Sequence, residues 1–189
     1  MLKRYALTAC LFAFFSLPPT ILLAQPGGGK MTSKLIIQSK AFEAGKRIPL
    51  QHTGDGKDTS PELSWTGIPP DTKELALIVD DPDAPQPKPW VHWVIYKIPA
   101  SVSHLPEGIK AFPTTAEVPG AMQGKNSWGT FGYRGPLPPP GHGTHHYHFK
   151  LYALASELNV KPGLTKDELL SAMKGHILQT ESLLGTYER

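Results

Sequence analysis

Thiol chemistry is almost absent: 189 residues include one cysteine, Cys10, and it lies within an N-terminal stretch that reads as a leader. Once that leader is removed, disulfides, thiolate catalysis and Cys-ligated zinc are all excluded. Concentrated basic charge is also missing. Lys and Arg are scattered and the formal net charge is only +3, which argues against a nucleic-acid surface. No apolar run approaches the roughly 20 residues of a membrane helix, and the N-terminal run is cut by Pro18 and Pro19. There is no GxSxG elbow, no GxGxxG or Walker loop and no internal repeat, which removes the commonest hydrolase and nucleotide-binding signatures.

The start of the chain carries a leader pattern. Lys3 and Arg4 form a basic head, Leu7 to Phe15 an apolar centre, and Leu22-Leu23-Ala24 a small-residue cleavage site. The expectation is a signal peptide over residues 1–24, cleaved after Ala24. A flexible lead-in follows over 25–34, containing Gly27, Gly28 and Gly29, and a single domain over 35–189. Such a protein would be periplasmic or secreted, with no stable membrane span after cleavage.

The body alternates. Leu75, Leu77, Val79 and Asp81 share one face of a strand and Ala76, Ile78 and Asp80 the other, so Asp81 ends a core-facing row. After a Pro-broken turn, Trp90, His92, Val94, Tyr96 and Ile98 are predicted on one face of a returning strand, opposite Val91, Trp93, Ile95 and Lys97. Residues 99–145 are rich in Pro and Gly without periodicity and read as a long ordered loop region. Tyr147, Phe149, Leu151 and Ala153 mark a further strand, with His145 two residues before it on the same face. Thr165 and Glu168 form a capping box for a helix running to Gly175, and Ile177–Tyr187 is weakly strand-like.

Asp81, Asp83, His92, His145 and Tyr147 gather near strand ends, with Gly141 and Gly143 close by. Imidazoles and a phenol can donate to an oxyanion, and Gly lets backbone N–H groups approach. Asp81 beside His92 would favour the charged imidazole, while Asp83 suits a local turn. Taken singly, each residue also has a plain structural use: Trp90 as a core aromatic, His92 as a satisfied core histidine. The histidines His142, His145, His146 and His148 raise metal binding as a rival, but strand alternation splits them between two faces.

Four ordered motifs, DGKDTSPELSW, DDPDAP followed by WVHW, NSWGTFGYRGPLPPPGHGTHHYHFKLYAL and the final GTYER, resemble the phosphatidylethanolamine-binding protein family in its bacterial Raf-kinase-inhibitor-like branch. The resemblance spans residues 35–189. It implies a mainly β fold, an antiparallel β-sandwich with a few peripheral helices, and a small cavity for phosphoryl or carboxylate anions. It places Asp81, His92, His145 and Tyr147 in that cavity, with Pro85, Trp90 and Gly135 as walls. No catalytic residue, metal or cofactor is implied. Two departures are visible: His146 stands where Arg is common, and the extra C-terminal helix associated with eukaryotic members has no counterpart. The expected function is therefore an exported, non-catalytic binding protein for a small phosphorylated or carboxylate ligand. The alternatives are an inhibitor of a protease or kinase acting through the loop Pro136–Gly143, and metal-dependent hydrolysis.

Overall fold

The computed structural model describes residues 33–189. The expected leader, and all but the last two residues of the lead-in, lie outside the described residues. Nine strands and one α-helix follow in chain order: β1 (Ile36–Ser39), β2 (Lys46–Arg47), β3 (Leu63–Thr66), β4 (Glu74–Asp81), β5 (Trp90–Pro99), β6 (His104–Leu105), β7 (Met122–Gln123), β8 (His145–Leu154), α1 (Lys166–Met173) and β9 (Ile177–Tyr187). They form a three-stranded sheet, β1-β3-β6, and a six-stranded sheet, β2-β9-β8-β4-β5-β7. Pairing is antiparallel except for the short parallel contact of β2 with β9. The mainly β sandwich is therefore present; its helical trim consists of α1 and a 3-10 turn at Leu50–His52.

The two sheets enclose one apolar core. Leu35, Ile37, Leu63 and Trp65 from the small sheet's side meet Leu75, Leu77, Val79, Trp93, Phe149 and Leu151 from the large one. A second cluster covers the other face, where Ala76, Ile78, Val94 and Tyr96 pack under Leu169 and Met173 of α1. Every residue of β4 is buried as a result, as expected of a central strand covered on both sides. The alternation of β4 and β8 reads directly onto these layers. The helix ends are also set locally, because the Thr165 hydroxyl accepts from the Glu168 N–H while the Glu168 carboxylate accepts from the Thr165 N–H.

β5 departs from the expected alternation. Val79 faces Trp93, but Asp80 faces Val91, so His92 is an extra residue inserted at a β-bulge. A second irregularity sits between Leu75 and Leu77, near Lys97, whose φ of 53° is in the left-handed region. The two bulges shift the phase, so Trp93, Ile95 and Ile98 face the inter-sheet core while Val91, Val94 and Tyr96 face α1. The single face predicted for Trp90, His92, Val94, Tyr96 and Ile98 is thus corrected, because strict period two cannot survive an inserted residue.

The region between β5 and β8 is ordered by buried side chains. Gln123 accepts from the Trp93 indole at 2.7 Å and donates to the Lys110 and Phe112 carbonyls. The Asn126 carboxamide oxygen accepts from Trp128 N, Thr130 N and the Thr130 hydroxyl, folding a tight turn that carries Trp128 outward. Val91 and Ser127 then tie that turn to β5: Ser127 N donates to the Val91 carbonyl, and the Ser127 hydroxyl accepts from Val91 N.

Candidate functional site

A cavity of about 270 Å³ opens at one end of the large sheet. Asp81 closes β4, His92 sits at the bulge of β5, and His145 and Tyr147 open β8. The loop after β4 supplies Ala84, Pro85 and Gln86, and Trp90 and Trp128 form an aromatic side, meeting edge to face at 5.3 Å. Leu137, Pro138 and Pro139 complete the wall. Six of the seven residues expected at a site therefore line one cavity.

Gly135 does not line it. A Cβ there would lie 2.3 Å from the His52 carbonyl oxygen, and the Gly135 N–H donates to Asp58 Oδ1. Only glycine lets the backbone segments at residues 52 and 135 lie this close, so Gly135 sets loop packing and not the cavity wall.

Asp81 is the hub of the polar floor. Its Oδ1 accepts the Asp83 N–H at 2.8 Å, an Asx turn that starts the proline loop. Its Oδ2 lies 2.7 Å from His145 Nδ1, a buried pair. A carboxylate only accepts, so His145 Nδ1 carries the proton and Nε2 points away from Asp81. That Nε2 is already engaged by His142 Nδ1 at 2.8 Å. Asp81, His145 and His142 thus form a hydrogen-bonded chain from a buried carboxylate to an exposed imidazole. Asp83 accepts the backbone N–H and lies within 2.7 Å of the imidazole Nδ1 of His146. Partial burial opposes its ionisation, but these bonds outweigh it and hold its carboxyl below the ordinary aspartate value.

His92 has a different partner from the expected one. Its Nδ1 donates to the Arg134 carbonyl at 2.6 Å, while Arg134 N donates back to the His92 carbonyl. Burial lowers its pKa, and the Arg134 carbonyl and the Asp81 charge offset that only in part. The expectation of a charged His92 held by Asp81 is corrected: the direct partner of Asp81 is His145, and His92 is neutral at neutral pH. In that form its Nε2 is a bare acceptor. Its ring packs edge-on against Tyr147 at 5.1 Å and Trp128 at 5.2 Å.

Tyr147 is buried beside Asp81, and among the described residues its hydroxyl makes no hydrogen bond of ordinary geometry. Burial first, and then the Asp81 charge, push its pKa well above the ordinary phenol value, so it stays an O–H donor. Orphaned buried hydroxyls are rare, because each costs about 1–3 kcal/mol.

Trp128 was not singled out from the sequence as a cavity residue, and Leu137–Pro139 and His142 were read only collectively, within the stretch GPLPPPGHGTHHYHF that was expected to complete the mouth. Trp128 and Leu137 lie in a region with no period to follow; His142 offered only its place three residues before His145. Among the described residues, no group of three or more His, Cys, Asp or Glu side chains is placed to hold a metal ion. His145 and His146 are instead committed to Asp81 and Asp83.

Fold and site together define a β-sandwich binding protein with a small polar-floored cavity at its strand ends. The chain belongs to the phosphatidylethanolamine-binding protein family, whose model matches residues 38–188. A UPF0098 protein of Methanothermobacter thermautotrophicus is 47% identical over 154 residues, covering 81% of this chain and 98% of that relative. One from Pyrococcus horikoshii is 44% identical over 163 residues, covering 86% of this chain and 81% of the relative. Among solved structures, E. coli YbcL, described as a new member of the mammalian family, is 33% identical with a TM-score of 0.77, covering 82% of this chain and 98% of YbcL. A homolog from Chlamydia trachomatis is 40% identical with a TM-score of 0.74, covering 83% of this chain and 99% of that one.

Proposed function

We propose that the chain is a non-catalytic receptor for a small oxyanion, a phosphoryl or carboxylate group, held by Tyr147, His92 and His145. The observation that carries this reading is the Tyr147 hydroxyl, which belongs to a cavity wall beside Asp81 and makes no hydrogen bond of ordinary geometry among the described residues. The hydrogen-bond inventory also favours one protonation state of the ligand. Neutral His92 presents an acceptor, so the best match is an anion that still carries one O–H, such as a phosphate monoester near or below its second pKa of about 6. Its O–H donates to His92 Nε2 while an anionic oxygen accepts from Tyr147. His145, whose Nδ1–H is given to Asp81, joins only when His142 gives up Nε2, and then as an acceptor for a second ligand O–H such as inorganic phosphate carries below its second pKa.

Calorimetric titration with inorganic phosphate and phosphoethanolamine tests the reading. Binding should strengthen as pH falls from 8 to 6 and should weaken in His92→Gln and Tyr147→Phe. Absence of any heat at millimolar ligand, with the protein folded, would remove the anion site. A second reading, contact with a protein target such as a protease or kinase, is favoured by Trp128 and Leu137, both exposed on the cavity rim. Export is proposed on the leader pattern alone, and an N-terminus at Gln25 in periplasmic or secreted protein would support it.

A further inference from the structure

Beside the anion cavity lies a larger groove of about 530 Å³. The two share Gln86 and Trp90, so Trp90 is a common wall. Pro87 and Pro89 line the groove and offer no N–H, which makes that side apolar and unable to pair with a strand. Three lysines, Lys88, Lys125 and Lys166, line it against a single carboxylate, Asp167.

The lysines are not equivalent. Lys166 is committed to the buried Asp80. Lys88 reaches across to Asp167 at 2.7 Å, an exposed pair that ties the proline loop to the start of α1 and that contributes little to stability. Lys125 is the available one. Its ammonium sits 3.7 Å above the Phe131 ring, and among the described residues no carboxylate pairs with it. Phe131 lies outside the groove's lining, so Lys125 stands between the groove and the neighbouring pocket of Phe131, and its long side chain can present the ammonium to an acid in the groove.

We propose that groove and cavity are two halves of one site, and that the ligand is a small molecule with two acids. A phosphoryl group occupies the cavity, an apolar body lies over Trp90 between Pro87 and Pro89, and a terminal carboxylate meets Lys125. The proposal rests on the anion reading above and adds the ligand's class. Charge decides the second acid, since the groove's lining is positive overall and Lys125 has no counter-ion among the described residues. Size supports the apolar body, because the groove falls within the volume range of drug-sized ligand clefts, which a lone tetrahedral anion would leave mostly empty.

The test compares four probes by calorimetry on the full chain: inorganic phosphate, hexyl phosphate, 6-phosphonohexanoic acid and an acidic phosphoserine peptide. Inorganic phosphate does not reach the groove and serves as the reference. Hexyl phosphate should bind at least about tenfold more tightly than phosphate, a factor that burying two or three of its methylenes supplies. The terminal carboxylate should add roughly three- to tenfold, as a partly exposed ion pair allows. Lys125→Met should erase the carboxylate's share alone, and Lys125→Arg should keep it. If phosphate itself does not bind, the anion reading fails. If phosphate binds but neither chain nor carboxylate helps, or if the peptide binds more tightly than the alkyl acid, the two-acid proposal is overturned and the anion reading stands.

Discussion

Replacing Tyr147 with Phe separates the cost of the site from its use. The ring is buried against His92 and the inter-sheet core, so Tyr147→Phe keeps the packing and deletes only the hydroxyl. Among the described residues that hydroxyl is buried with no hydrogen bond of ordinary geometry, and a buried hydroxyl left unsatisfied costs about 1–3 kcal/mol. The variant should therefore be more stable by about 1 kcal/mol, raising Tm by roughly 2–4 °C for a domain of this size. Ligand affinity should move the other way. A hydrogen bond to a charged group is worth about 1.5–3 kcal/mol, so phosphate binding should weaken roughly ten- to a hundredfold. Thermal melts without ligand and calorimetry with phosphate read the two effects. A variant that loses both stability and affinity would show that the hydroxyl has a structural partner, and unchanged affinity would show that it never meets the ligand.

Removing His142 tests its hold on His145: His142→Ala should tighten phosphate binding about two- to tenfold, the worth of one hydrogen bond no longer competing for Nε2, and weaker binding would show that His142 itself serves the ligand. Burial lowers the folded pKa of His92, so the unfolded chain takes up protons first as pH falls. Stability is then complete above the unfolded value of about 6.5 and declines as pH drops toward the lowered folded value. His148, also lowered by burial, adds to that slope; His92→Gln should flatten it in urea melts between pH 7 and 5. Asp80 is fully buried and accepts from Lys150 at 2.8 and 3.0 Å as well as from Lys166. Asp80→Ala should cost about 3–5 kcal/mol by leaving two cations uncompensated, read in the same melts. Gly185→Ala puts a Cβ within 2.7 Å of Ile48 and 2.9 Å of Phe42 and should cost about 1–3 kcal/mol by overpacking.

Much of the scaffold was legible because it obeys local rules. Period two in β4 and β8 separates Asp81 from Asp80, and the structure puts them on opposite faces, Asp81 in the cavity and Asp80 under α1 with two lysines. The Thr165–Glu168 box marks where α1 begins. The bulge at His92 was not legible, because nothing in WVHWVIYKI announces an inserted residue; it is imposed by pairing with β4. Partner choice was hidden for the same reason. Both β8 and β5 flank β4, so sheet order leaves either histidine within reach of Asp81; the peptide at Arg134, 42 residues on, takes His92 Nδ1, and His145 Nδ1 goes to Asp81. Gly135 was placed at the wall by resemblance, and only the packing at His52 shows what it does.

The account's central claim is that neutral His92 and the idle Tyr147 hydroxyl receive an oxyanion. The most direct measurement follows the ring nitrogens of 15N-histidine-labelled protein by NMR as inorganic phosphate is added at pH 6.5. The account predicts that His92 Nε2 starts as an unprotonated acceptor and shifts saturably on titration, and that the shift is lost in Tyr147→Phe at the same phosphate concentration. His92 signals unmoved at millimolar phosphate, or a His92 already doubly protonated before any is added, would contradict it.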